Sequence, residues 1–344
     1  MERRELLKGI AMAASASATT GLLSVAHAEA ADAAQGGGAA PARKGIGVHD
    51  IPPLSPDYFV PDRFKGRTVI VTGCARGMGA QAARRLAREG ANVVGVDWIE
   101  KLGAETIGAI VREGGKADFV FGDVAQNETC DKMVQVAVTK FGGLHHALNN
   151  AGVMDGVYSG APIDYAKQKH LVFNQVHEAS DEYWDNVIRT NATGVFKSLR
   201  AELRHMVKQN TGGSIVNVGS VTGLTGFGGT PAYVASKHAV TGLTRSAAID
   251  YAYYGIRINS VNMANTATPM VERAMQLIMA KRKESGGGPS MSMMKTDSLL
   301  QAADSRKRDA TPAEQVAVML FLLSDEASNL TGAVYATDGG YTTY

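Results

Sequence analysis

The sequence predicts an α/β fold: a doubly wound parallel sheet of about seven strands, with helices on both faces. Three observations predict it. Short β-branched apolar runs alternate with helical stretches from Lys65 onward. The first such run leads straight into a glycine-rich turn, Thr72-Gly73-Cys74-Ala75-Arg76-Gly77-Met78-Gly79, and then a helix. No solenoid-length repeat competes with the alternation.

The elements follow in order. Residues 68–72 are β-branched and apolar, a buried strand, and 77–89 carry Ala, Leu and Arg at helical spacing. A strand at 92–97 and a helix at 100–113 come next. Residues 119–121 lie in a third strand, 127–141 form a helix and 144–149 a fourth strand. Ser180 is placed to cap one long helix reaching about Lys208. Strand 215–218, helix 232–253, strand 257–262, helix 312–323 and strand 334–336 complete the pattern. Repeated β-α-β units with short connections make the sheet parallel.

Composition narrows the function. The chain has 344 residues, 45% hydrophobic and 20% charged, enough apolar material for a core. Lys and Arg number 35 against 33 Asp and Glu, a net charge of +2, so nucleic acid and an acidic membrane are not expected partners. The basic runs 281–283 and 306–308 read as solvated surface. Cys74 and Cys130, the only cysteines, make neither a disulfide framework nor a four-thiolate zinc site. Cys74 is a small loop residue or, less simply, a reactive thiol. His145-His146, His170 and His177 lack metal-ligand spacing, so no metal is expected. Gly219-Ser220 lacks the Gly-x-Ser-x-Gly elbow of a serine hydrolase.

Residues 1–28 read as an address. A basic start with Arg3-Arg4 precedes a modest apolar run and Ala26-His27-Ala28, a small-x-small cleavage site resembling a twin-arginine export signal. An uncleaved anchor or a plain tail is the other reading. The run is too short and too polar for a stable membrane span. Residues 29–56 are Ala/Gly-rich and then Pro-rich, a linker or a surface arm. The folded domain is 57–344.

The glycine turn suits a dinucleotide. Glycines allow close backbone approach to a pyrophosphate, and the helix N-terminus adds free N–H groups and positive dipole. Asp97 ends the next strand, where a carboxylate accepts bonds from adenosine ribose hydroxyls and repels a 2′-phosphate. That favours NAD over NADP, although Arg76 would suit the phosphate. A simple turn acid is the plainer reading of Asp97.

Tyr233-Val234-Ala235-Ser236-Lys237 places a phenol and an ammonium on one helix face. A neighbouring cation favours phenolate and lowers a phenol pKa that is ordinarily about 10. Such a tyrosine exchanges a proton with an alcohol oxygen. Ser220, just after a strand, is placed to hold that oxygen. Alone, a Tyr-x-x-x-Lys pair is usually surface; beside a dinucleotide turn and a strand-end serine it reads as an active site.

Taken together these motifs resemble the short-chain dehydrogenase/reductase family over about residues 65–340. They are Thr72-Gly-x-x-x-Gly77-x-Gly79, Asp123-Val124, Asn149-Asn150-Ala151-Gly152, Asn191, Ser220, Tyr233-x-x-x-Lys237 and Asp338-Gly339-Gly340. The resemblance implies a Rossmann-type oxidoreductase in which Tyr233 is the acid/base. It implies that Lys237 lowers the phenol pKa and holds the nicotinamide ribose, that Ser220 orients substrate, and that Asn191 anchors a proton relay from Lys237. Gly73, Ala75, Arg76, Gly77, Met78 and Gly79 would meet the pyrophosphate. Asp97 would meet the ribose, Asp123 and Val124 the adenine, and Asn150, Ala151, Gly152 and Thr268 the rest of the cofactor cleft. The expected partners are a secondary alcohol or ketone and a second copy or three further copies of the chain.

Two departures stand out. Where the family has Pro-Gly after the sixth strand, this chain has Met263-Ala264, which weakens Thr268 as a cofactor ligand. Extra chain at 156–179 is a substrate wall, or else a surface insertion or subunit contact. The lid region, 266–309, carries Met270, Met275, Met279, Met291, Met293 and Met294, with Gly286-Gly287-Gly288-Pro289 as flexible joints. Adaptable methionines suit a bulky cyclic or steroid-like alcohol, or ordinary packing. The expectation is therefore an exported, periplasmic, NAD-linked dehydrogenase that keeps its cofactor tightly bound. It is cytoplasmic if the signal is not used. An NADP-linked ketone reductase and a non-catalytic dinucleotide sensor or scaffold are the alternatives.

Overall fold

The interior strands pair because each is apolar on both faces and none carries a ladder-breaking proline. In the computed structural model, residues 48–157, 164–284 and 297–343 are described. The strands are β1 (Thr68–Thr72), β2 (Asn92–Asp97), β3 (Lys116–Phe121), β4 (His146–Asn149), β5 (Gly213–Val218), β6 (Ile256–Met263) and β7 (Val334–Thr337). All pair in parallel, in the order β3-β2-β1-β4-β5-β6-β7. Chain order reverses between β1 and β4, which opens a crevice at their carboxyl ends.

Helices cover both faces. On one side Val69 and Val71 of β1 pack with Leu86 of α1 (Gly77–Arg88), Ile107 of α2 (Glu100–Arg112) and Met319 of α10 (Pro312–Leu323). On the other, Ile70 packs with Met133 of α3 (Asn127–Phe141), Leu199 of α6 (Gly194–Gln209) and Val240 of α7 (Pro231–Tyr251). Each such side chain contributes about 1.5–3 kcal/mol on burial, so the alternation along β1 stabilises both layers at once. The remaining helices are α4 (Tyr165–Gln168), α5 (Asp181–Ile188), α8 (Pro269–Glu284) and α9 (Leu299–Ala303).

Several elements differ from their sequence reading. Ser180 does cap a helix, its Oγ accepting from the Tyr183 N–H at 3.1 Å. The single helix expected to Lys208 is interrupted, however: α5 widens into a π turn, Arg189–Thr193, before α6 begins. One extra residue in the helical circuit turns Asn191 inward, and such bulges often mark functional positions. The helix expected over 232–253 ends at Tyr251 and finishes in a 3-10 turn, Ala252–Tyr254, closed by Gly255 at φ 69°. Ahead of β4, His145 uses its ring to accept the Thr68 N–H at 3.0 Å.

The basic runs are largely exposed, as expected: Arg282, Lys283, Arg306 and Lys307 face solvent, but Lys281, Arg306 and Arg308 also hold other parts of the chain. The His49 N–H donates to the Ala303 carbonyl (3.0 Å), and the His49 carbonyl accepts from Ser305 (2.8 Å). The Ile51 carbonyl accepts from Arg306 at 2.9 Å and Arg308 at 3.1 Å, and Arg306 pairs with Asp50 at 2.9 Å. Arg308 also grips Glu314 through two nitrogens at 2.9 Å. These contacts strap residues 48–51 onto the loop before α10. Lys281 likewise donates to the Phe173 carbonyl at 2.5 Å. The expected signal and the linker up to residue 47 lie outside the described residues, as does the glycine joint 286–289.

His146 yields a prediction. It is buried against Ser214 Oγ (2.7 Å) and the Phe64 ring, and burial pushes its pKa down to about 3. An unfolded histidine titrates near 6.5. The unfolded chain therefore binds a proton the fold refuses, and stability is lost as pH falls from about 6.5 toward 3. Other groups titrate in this range too, Glu202 with the opposite sign, so the His146 part is read as a difference. Denaturant titrations at pH 7.5, 6 and 4.5 should show the natural protein losing about 1.4 kcal/mol per pH unit below about 6.5 relative to His146→Gln.

Candidate active site

The crevice is held in shape by its own rim. Thr72 Oγ1 at the end of β1 accepts the N–H groups of Asn150 and Ala151, both at 3.0 Å. The Asn150 amide returns bonds to the Thr72 carbonyl (3.1 Å) and the Gly73 carbonyl (3.2 Å). These bonds sew together the two strand ends that diverge at the reversal.

A half-open cleft lies there. From the glycine turn, Gly73, Arg76, Gly77 and Met78 line it. Strand ends supply Asp97, Asp123 and Val124, and the loop after β4 supplies Asn150, Ala151 and Gly152. Tyr233 and Lys237 come from α7, and Thr268 stands just before α8. Ala75 and Gly79 work one layer behind. The Ala75 N–H donates to Asp97 Oδ2 at 2.9 Å, while the Ile99 N–H holds Oδ1 at 2.9 Å. A Cβ on Gly79 would stand 2.0 Å from the Gly73 carbonyl oxygen, so only glycine lets α1 come this close to the turn.

These residues fit a dinucleotide. Arg76 at the start of α1 makes no side-chain cap bond, which leaves the first N–H groups of the helix to an anion. Asp97 is fixed in place by two backbone donors and still has lone pairs for hydroxyls. Burial pushes its carboxyl above the usual range, while those bonds and Arg76 pull it back. Asp123 is fixed by the Ala125 N–H at 2.9 Å and by Arg189 at 2.5 Å. Thr268 remains on the cleft wall despite Met263-Ala264, its Oγ1 accepting the Val271 N–H at 3.3 Å.

The polar residues at the other end of the cleft converge. Ser220, just past the end of β5, stands where its hydroxyl lowers the pKa of the Tyr233 phenol, and its Oγ accepts the Thr222 N–H at 3.2 Å. Its N–H is held by Asn262 Oδ1 at 3.2 Å. Lys237 Nζ lies 5.6 Å from the Tyr233 ring centroid and donates to the Val218 carbonyl at 2.9 Å, leaving ammonium protons for a ribose. Asn191 clamps Val153 by both backbone groups, accepting its N–H and donating to its carbonyl, each at 2.8 Å. It also donates to Ser236 Oγ at 3.0 Å, and Ser236 donates to the Tyr233 carbonyl at 2.7 Å. A Cβ on Gly152 would stand 3.2 Å from Asn191 Oδ1 and 3.6 Å from Lys237 Nζ.

Burial dominates the electrostatics of the pair: it pushes the phenol up to about 12, opposed by the Ser220 hydroxyl, and brings Lys237 down to about 8. Burial also pushes the Cys74 thiol far up, so it is a packing residue rather than a thiolate.

The lid differs from its sequence reading as well. Met270 lines the cleft, but Met275 and Met279 are exposed; Met291, Met293 and Met294 lie outside the described residues. The thioethers of the cleft wall belong to Met78, Met154, Met263 and Met270. Among the described residues of the 156–179 insertion, Gly156 is buried outside the lining and Val157 lines the cleft; farther on, Val172 and Phe173 pack on Ala274 and Leu277 of α8. The sequence reading missed Asn262, Arg189 and the ion pair of Asp155 with Arg273, whose partners are 118 residues apart. It also missed Ser236, although that residue lies inside the Tyr-x-x-x-Lys motif.

A doubly wound sheet with a dinucleotide turn and an acid/base cluster at its reversal point defines an oxidoreductase class. A family described as short chain dehydrogenase matches residues 67–277. A 3beta-hydroxysteroid dehydrogenase of Mediterraneibacter gnavus is 39% identical over 83% of this chain and 98% of its own. A cyclohexanol dehydrogenase of an Acinetobacter species is 35% identical over 83% and 99%. The crystal structure of levodione reductase superposes with TM-score 0.68 at 31% identity, covering 82% of this chain and all of that one. The chain belongs to the short-chain dehydrogenase/reductase family and is an oxidoreductase of CH–OH groups.

Gly79→Ala tests the turn. Its methyl group must push the Gly73 carbonyl aside, an overpacking cost of about 1–3 kcal/mol. Thermal melts with and without NAD should show a lower Tm and a much smaller NAD-dependent rise than in the natural protein.

Proposed function

We propose that this chain is an NAD-linked dehydrogenase of bulky cyclic secondary alcohols, exported by the twin-arginine route and working in the periplasm with a retained cofactor. One observation carries the reading: Tyr233 and Lys237 line the same cleft as the glycine turn and Asp97, with Ser220 and Asn191 buried behind them, Asn191 joined to the Tyr233 carbonyl through Ser236. Asp97 favours NAD, because its carboxylate repels a 2′-phosphate.

A bound nicotinamide would supply the acceptor for a hydride leaving the carbinol carbon. The chain manages position and protons. Ser220 holds the substrate oxygen beside Tyr233, which removes its proton during oxidation and returns it during reduction. Lys237 orients the ribose and, as an ammonium, favours phenolate. Asn191 keeps Val153 and the adjoining loop in register and anchors the relay that carries the proton onward from Lys237. Met154, Val157, Met263 and Met270 offer an apolar wall for a hydrocarbon ring. The two relatives that act on a hydroxysteroid and on cyclohexanol support a cyclic substrate.

The N-terminal pattern supports export, since that route carries folded proteins. A compartment without a free nucleotide pool favours a cofactor that stays bound and is recycled in place by a second substrate. The long helices α6 and α7 suit packing of the chain into a homodimer or homotetramer.

Two experiments test this. Tyr233→Phe should cut oxidation of a cyclic alcohol by about a hundredfold or more, with NAD binding retained; unchanged turnover rejects the mechanism. Gently purified periplasmic protein should begin near residue 29 and release NAD, read as its mass. Release of NADP, or an empty protein with weak NAD affinity, rejects the cofactor assignment.

A further inference from the structure

The cleft wall on the substrate side carries one feature with no role so far, the ion pair of Asp155 and Arg273. Arg273 Nε lies 3.0 Å from Asp155 Oδ2, and Nη2 lies 3.1 Å from Oδ1. The fork is bidentate, both partners line the cleft, and both are largely shielded from water. Asp155 is fixed to its own loop, because Oδ1 also accepts the Val157 N–H at 3.0 Å.

The pair joins two structures with different duties. Inward, Asp155 follows Val153 by two residues, and Val153 is the residue that Asn191 clamps by both backbone groups. Outward, Arg273 begins a row of contacts along α8. Lys281 donates to the Phe173 carbonyl and to Asn174, and Glu284 accepts from Tyr165 (3.0 Å) and Lys169 (2.7 Å). Only Ala274 and Leu277 of the 16-residue helix are buried. So little apolar anchorage leaves α8 dependent on its polar contacts, and Arg273 makes the most buried of those described here.

We propose that Asp155 and Arg273 are positioning residues: a latch that ties α8 to the 153–157 loop, whose Gly156 N–H donates to the Leu171 carbonyl at 2.7 Å, so that α8, that loop and residues 164–179 act as one clamp over the substrate and seat the alcohol against Tyr233. The substrate part rests on the function proposed above; the clamp itself does not. A substrate that fits between Met154, Val157 and Met270 leaves the fork closed, and closure keeps the loop clamped by Asn191 in register. The latch thereby selects substrates by shape on the side away from the reacting carbon.

The test uses the full chain with Asp155→Asn, Arg273→Gln, Arg273→Lys and the charge-swapped double variant D155R with R273D. Hydrogen exchange is read first, without ligand. In D155N and R273Q, exchange should rise together in α8 and in residues 165–173, and the double variant should restore protection in both. A rise confined to α8, or no recovery in the double variant, overturns the clamp. Kinetics follow with NAD and cyclohexanol. D155N and R273Q should raise KM about tenfold or more with kcat within about threefold, R273K should fall between, and the dissociation constant of NAD should stay unchanged. An unchanged KM, or a fall in kcat alone, overturns the positioning role. If the natural protein oxidises no cyclic alcohol, the proposed function fails, and the exchange result still decides the latch.

Discussion

The structure depends on one topological constraint. A parallel sheet buried on both faces must reverse its winding somewhere, and here it does so between β1 and β4. The connections leave the two strand ends in opposite directions, so no backbone fills the space between them. Thr72 prevents the gap from widening by accepting two N–H groups from the neighbouring loop. Asn150 and Ala151 take their positions from that rim, while Asp97 is held at the end of β2 by the Ala75 and Ile99 N–H groups. The cleft results from the winding rule, and the residues around it give it chemistry.

Burial then shapes the reactive groups. Tyr233 and Lys237 share the first turns of α7, yet each is pushed toward its neutral form. At neutral pH the phenol is therefore neutral, while Lys237, at about 8, still carries its proton but holds it less tightly than a lysine in water. Charge at Lys237 becomes cheaper once polar partners arrive beside it, which links chemical readiness to ligand binding. The polar groups around the pair are held by neighbours in turn: Ser220 by Asn262, and Asn191 by Val153 and Ser236. Such layering keeps proton-handling groups in place without exposing them to bulk water.

What could be read from the sequence follows sequence distance. The glycine turn and Tyr233-x-x-x-Lys237 were legible because their geometry is local: one turn, one helix face. Strands β1, β2 and β5 were legible because a buried strand needs a continuous apolar run. Asn262 beneath Ser220 and Arg273 against Asp155 were not, since tertiary folding alone brings them together. The π turn at Asn191 was hidden because a helical pattern tolerates one extra residue. The methionines were misread because thioethers suit a cleft wall and an exposed helix face equally; Met270 took the first place, Met275 and Met279 the second. The basic run at 306–308 is solvated as its composition indicates, but that it also holds the strap could not be read, because the Ile51 carbonyl is 255 residues away from Arg306.

That last contact bears on the order of events during synthesis. Residues 48–51 leave the ribosome early, but the loop that receives them is made only when the chain is nearly complete. A contact of such long range forms late, after the sheet has assembled the surface it needs. A docked strap is therefore a physical mark of a finished fold.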